Sequence, residues 1–130
     1  MENMPEFNLH RPVTAAEAVK LKASDATSRY LAGGTDMIVN VRRGIEEPET
    51  MIDLTAIVAI TEISAEGGGL RIGAGVKLAD LAAHADLKRD YPAIAEAAAS
   101  VAGPTHRQYG TIGGNLCLDT RCLFYNQSQW

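Results

Sequence analysis

The chain has 130 residues and a net charge of −4; 46% of it is hydrophobic and only 5% aromatic. This length and apolar share support one domain, or one domain and a piece of another, with an aliphatic, alanine-rich core, and they exclude intrinsic disorder. The acidic balance and the absence of a basic stripe exclude nucleic acid as a partner, because such binding rests on neutralising phosphates.

Met1 to Pro5 has no basic region leading into a long apolar one, and no apolar run approaches the length of a membrane span. A cytoplasmic protein with no membrane partner is the expectation. Phe7 to His10 alternates as a short strand closed by Pro12. Thr14-Ala15-Ala16-Glu17 is a capping box, and the helix behind it runs to about Ala23. Ser28 to Ala32 reads as a buried strand. A second helix starts at Asp36, carries Met37, Ile38 and Val41 on one face, and stops at Gly44. Thr50 to Leu54 and Ile57 to Ile63 read as strands. Glu66 to Gly69 is a hairpin turn, with Leu70 to Ala74 as the returning strand. Leu78, Leu81 and Ala82 mark a third helix. Pro92 opens a fourth, which Gly103-Pro104 ends.

Two diglycine segments stand out: Ala32-Gly33-Gly34-Thr35-Asp36 and Gly110-Thr111-Ile112-Gly113-Gly114-Asn115. Glycine reaches positive φ and leaves no Cβ between its N–H and an approaching anion. A diglycine turn therefore points successive amides at one phosphate oxygen, and a helix just behind it adds positive dipole charge. Brought together by folding, the two segments suit a pyrophosphate. On glycine chemistry alone, two tight turns without a ligand remain the alternative. No Gly-x-Gly-x-x-Gly dinucleotide fingerprint occurs.

Other chemistry is sparse. His10, His84 and His106 are scattered and read as surface or hydrogen-bonded histidines. Asp36 is a candidate helix cap. Arg107, three residues before the second glycine segment, either meets a phosphate or is a solvated charge. Cys117 and Cys122 are two thiols where an iron–sulfur cluster needs about four.

The two diglycine segments, with Ile52-Asp53-Leu54, Leu70 to Ala74 and Val76-Lys77-Leu78 between them, resemble the FAD-pyrophosphate loops of the flavoprotein subunits of molybdenum hydroxylases. The tail, Cys117 to Cys122 followed by Phe124-Tyr125-Asn126-Gln127-Ser128, resembles the beta subunit of 4-hydroxybenzoyl-CoA reductase. The resemblance implies an α+β fold, the N-terminal part of a two-subdomain FAD-binding fold. Residues up to about 56 would form the first subdomain, and 57–130 the start of the second. Ala32, Gly33, Gly34, Thr35 and Asp36 would line the first FAD loop. Thr111, Ile112, Gly113, Gly114 and Asn115 would line the second. Cys122 matches the first cysteine ligand of an extra 4Fe-4S cluster, which this chain alone does not complete.

The implied function is electron transfer by an FAD-binding oxidoreductase subunit. Its partners would be a 2Fe-2S subunit and a molybdenum-cofactor subunit that removes the phenolic hydroxyl from 4-hydroxybenzoyl-CoA. Two alternatives are the flavoprotein subunit of a carbon monoxide or xanthine dehydrogenase and a flavin-free interaction module. Family members are longer, so an incomplete, inactive and self-associating homo-oligomer is the expectation for this chain.

Overall fold

Residues 4–119 are described by a computed structural model. Three short strands, β1 (Asn8–His10), β2 (Arg29–Leu31) and β3 (Thr50–Asp53), form a parallel sheet with β3 at its centre. Leu9 and Arg29 flank Met51, while His10 and Tyr30 flank Ile52. The central strand of a parallel sheet is covered on both faces, so consecutive Met51 and Ile52 are both fully buried.

Helix α1 (Ala15–Ser24) joins β1 to β2, and α2 (Met37–Arg42) joins β2 to β3. Thr14 caps α1 as the sequence predicts, its hydroxyl accepting from the Glu17 N–H at 3.2 Å. Glu17 reaches back one residue further than a reciprocal box requires, accepting from the Val13 N–H at 3.2 Å. Ala18 packs with Ile52 and Ile57 in one core cluster, joined by Leu21, Leu54 and Ile60. After α1, Asp25 folds its carboxylate onto the Thr27 N–H and hydroxyl, and the hydroxyl bond holds that carboxyl below its usual range.

The strand expected over Ile57 to Ile63 does not form. Val58–Ile60 is a 3-10 turn, closed by Thr61 donating from its N–H and hydroxyl to the Val58 carbonyl. Ile57 and Ile60 lie three residues apart, a spacing that puts both into the core in a helical turn while Val58 stays exposed. Burial here overrides the β-branched preference. The hairpin follows: β4 (Ile63–Glu66) pairs antiparallel with β5 (Gly69–Ile72) through Gly67 and Gly68. Both turn glycines have positive φ, 56° and 81°, the requirement of a two-residue turn that matches strand twist.

Five helices follow: α3 (Leu78–Ala83), α4 (Ala85–Asp90), α5 (Pro92–Ser100), α6 (Pro104–Tyr109) and α7 (Ile112–Leu116). The second core cluster lies here: Val76, Leu78, Leu81, Leu87, Ala95 and Ala98, with Ile63, Leu70 and Ile72 packed against it. Ala95 and Ala98 are the buried face of α5, and their small side chains let it lie close on α3 and α4. The sequence reading missed α4 and α6. Pro104 opens α6 at a first-turn position instead of stopping α5, which ends at Ser100. Among the described residues no helix is long and apolar enough to cross a membrane.

Candidate cofactor-binding site

The first glycine segment leaves β2 and leads into α2. Gly34 holds φ 74°, and its carbonyl accepts from the Ile38 N–H at 3.3 Å, so the segment turns directly into the helix. A Cβ on Gly33 would overlap the backbone carbonyl of Tyr109 at the end of α6. Only glycine permits that approach. It joins the two segments, which lie about 80 residues apart in sequence. A Cβ on Gly110 would in turn lie 3.6 Å from the Thr35 hydroxyl oxygen.

Ala32 to Asp36 are all half-buried. Among the described residues, no hydrogen bond occupies the N–H groups of Gly33, Gly34 or Thr35. Three successive N–H groups without a protein acceptor, two of them on glycine and so clear of any Cβ, suit an anion. Asp36 does not cap α2 with its side chain. Its Oδ2 accepts from Asn40 Nδ2 at 3.0 Å.

The second segment departs from the expected open turn. Thr111 is the N-cap of α7, and Gly113 and Gly114 lie in that helix's first turn. The four successive amides from Ile112 to Asn115 are engaged. The Ile112 N–H donates to the Val76 carbonyl at 2.9 Å and the Gly113 N–H to the Ala74 carbonyl at 2.8 Å. The Gly114 N–H donates to Thr111 Oγ1 at 3.1 Å, and the Asn115 N–H to the Thr111 carbonyl at 2.9 Å. Gly113 is glycine because a Cβ would sit 2.7 Å from that of Ala74. What this segment offers a ligand is therefore side-chain chemistry. The buried Thr111 hydroxyl keeps its proton to donate, and among the described residues the Asn115 side-chain amide has no hydrogen-bond partner. Replacing Thr111 with valine removes the cap and strands the Gly114 N–H, an expected loss of about 1 kcal/mol in urea unfolding. Thr111→Ser is expected to retain the cap and nearly all the stability.

Arg107 turns one nitrogen of its guanidinium onto backbone, which neither sequence-based reading includes. Its Nη1 donates to the Val101 and Ala102 carbonyls at 2.9 and 2.7 Å. His10 and His106 are exposed, and His84, between α3 and α4, has a buried Nδ1 that finds no partner among the described residues. Among the described residues no three His, Cys, Asp or Glu side chains converge on a metal position. Cys117 is an exposed free thiol, and Cys122 lies outside the described residues. Beside the second segment an apolar groove of about 560 Å³ runs between α5 and α7, lined by Ile72, Leu78, Ala97, Val101, Ile112 and Leu116. The sequence reading missed Tyr109 and Ala74. Both act through backbone position, which their side chains do not signal.

Comparison with known proteins matches residues 5–122 to a family described as the FAD binding domain in molybdopterin dehydrogenase. The chain belongs to that family. A xanthine dehydrogenase FAD-binding subunit of Escherichia coli O157:H7 is 35% identical over 109 residues, 83% of this chain and 37% of the relative. The carbon monoxide dehydrogenase medium chain of Hydrogenophaga pseudoflava is 34% identical over 113 residues, 86% of this chain and 39% of the relative. The structure of carbon monoxide dehydrogenase from that organism, lacking the Mo-pyranopterin moiety, superposes with a TM-score of 0.85 at 33% identity. That match covers 88% of this chain and 40% of the other. This member of the molybdopterin dehydrogenase FAD-binding domain family thus spans about two-fifths of its relatives' length. The α+β architecture is that of the N-terminal part of the family's FAD-binding subunits, which belong to oxidoreductases. These relatives lend no support to 4-hydroxybenzoyl-CoA reductase, and they fit the alternative of a xanthine or carbon monoxide dehydrogenase type better.

Proposed function

We propose that this chain holds FAD by its diphosphate, between Ala32–Asp36 and Thr111–Asn115, as the flavin-binding part of a molybdenum-dependent dehydrogenase. The observation that carries this reading is the row of unoccupied N–H groups at Gly33, Gly34 and Thr35, set against the second segment by the Gly33–Tyr109 contact. The start of α2 behind the row adds favourable dipole charge, and the Thr111 hydroxyl and the Asn115 side-chain amide are further donors on the second segment. FAD, when bound, supplies the electron-accepting chemistry, while the chain's own residues anchor and orient it. Each hydrogen bond to a charged diphosphate contributes about 1.5–3 kcal/mol, so a few such donors suffice for anchoring.

The wider role in this proposal is passing electrons between flavin and the centres of an iron–sulfur subunit and a molybdenum-cofactor subunit. The names of the relatives, FAD-binding subunit and medium chain, support membership of such an assembly. We favour the xanthine or carbon monoxide dehydrogenase type. The reductase reading rests on the tail resemblance, most of which lies outside the described residues. The two core clusters support reading the chain as two subdomains, with Ile57 and Ile60 still belonging to the first.

Titrating the purified chain into FAD while following flavin fluorescence tests the proposal. A saturable change is expected. A signal that stays linear into the millimolar range contradicts it and favours a flavin-free interaction module.

A further inference from the structure

Ala102 is the one non-glycine residue with positive φ among the described residues, at 46°. A Cβ in the left-handed region crowds the following carbonyl, so such a residue persists only where its surroundings hold it there. Here the holder is Arg107. Its Nη1 bridges two successive carbonyls, Val101 at 2.9 Å and Ala102 at 2.7 Å, from the next helix. Charge-assisted bonds of this kind are stronger than neutral ones, and the planar guanidinium fixes their direction.

The turn has consequences at both ends. On one side, Val101 lines the apolar groove together with Ile112, Gly113 and Asn115 of the second glycine segment. On the other, Gly103 and Pro104 start α6, whose far end is the Tyr109–Gly110 backbone against which Gly33 packs. That end is tied down by the Gly110 N–H donating to the His106 carbonyl at 2.7 Å and by the Leu78 N–H donating to the Gly110 carbonyl at 2.9 Å. α6 is a six-residue rod, so the direction in which it leaves the Ala102 turn decides where the Gly33 contact falls.

We propose that Arg107 is a positioning residue for the nucleotide site: by clamping the left-handed Ala102 turn it aims α6, and so sets the two glycine segments against each other. Among the described residues, its side chain hydrogen-bonds to neither segment. The link to nucleotide affinity rests on the FAD reading above; the link to α6 does not.

A double-substitution cycle tests the proposal, using Arg107→Met, Ala102→Gly and the pair in the full chain. Two readouts are followed: amide hydrogen exchange without ligand, and ADP affinity by calorimetry. Arg107→Met is expected to speed exchange at Gly110 and Leu78 about tenfold and to weaken ADP by a similar factor. The Tyr91 N–H, bonded to Leu87 at the end of α4, should stay unchanged as the internal reference. Glycine adopts the left-handed conformation without the Cβ penalty, so Ala102→Gly in the Arg107→Met background should restore both readouts to within about twofold. A residue that merely adds global stability would not be rescued by relieving the one left-handed turn that it clamps.

Should Arg107→Met fail to fold, folding of the pair is itself the expected rescue. Arg107→Lys, which keeps the charge without the planar fork, then gives intermediate exchange. Unchanged exchange at Gly110 and Leu78 overturns the proposal. So does an equal rise at Tyr91, or no recovery in the pair. If ADP does not bind even the unaltered chain, the FAD reading falls, while the exchange measurements still decide the role of Arg107.

Discussion

Gly33→Ala is expected to weaken FAD and ADP binding by about a hundredfold, close to 2.7 kcal/mol. The added methyl would occupy the space of the Tyr109 carbonyl, and backbone on both sides leaves no flexible side chain to give way. Either the β2–α2 turn or the end of α6 must move, which separates the two glycine segments. Overpacking of this kind also costs about 1–3 kcal/mol of stability, so the melting temperature should fall by several degrees. Gly68→Ala provides the contrast. It has positive φ with open space around it, at the tip of the β4–β5 hairpin. That change should lower stability modestly while leaving nucleotide affinity intact. A Gly33→Ala protein that binds ADP as well as the unaltered chain would show that the segments need not touch for binding.

Leu81→Ala should produce the largest loss of stability, about 2–5 kcal/mol in urea or thermal unfolding. Leu81 is fully buried at the centre of the second core, on the helix that packs against α5 and α6. Removing its side chain leaves a cavity, and the buried face of α5, Ala95 and Ala98, is too small to refill it. For a domain of this size the loss is a large share of the total stability. Leu116→Ala, at a side chain that is 76% exposed, should change stability by less than about 0.5 kcal/mol. Equal effects at the two positions would mean that the groove beside α7, and not the α3–α5 contact, is the centre of the fold.

The sequence made the local rules plain and left the long-range ones hidden. Thr14 and Glu17, the Gly67–Gly68 hairpin and the first diglycine segment are legible because each is decided by a few neighbouring residues. Pro104 was ambiguous in kind, since a proline after alanines marks a helix end and a helix start equally well. The deciding feature was the left-handed Ala102, whose conformation depends on Arg107 five residues later and leaves no composition signal. Ile57 to Ile60 misled for a different reason: its β-branched residues suit a strand, but the core needs two of them three apart. The second glycine segment is the cap and first turn of α7, not the open turn that its glycines suggest. Its glycines make room for Ala74 and for the Thr111 cap, and its amides from Ile112 to Asn115 are spent on that packing. The first segment, by contrast, leaves the N–H groups of Gly33, Gly34 and Thr35 without a hydrogen bond among the described residues.

The most direct test of the account is competition among FAD, ADP and riboflavin for the purified chain, measured by calorimetry. The unoccupied N–H groups at Gly33–Thr35 and the donors at Thr111 and Asn115 would recognise a diphosphate. ADP carries that group and riboflavin does not. The account predicts that ADP binds and displaces FAD mole for mole, and that riboflavin neither binds measurably nor competes. Riboflavin binding as tightly as FAD, with ADP unable to displace either, would contradict it.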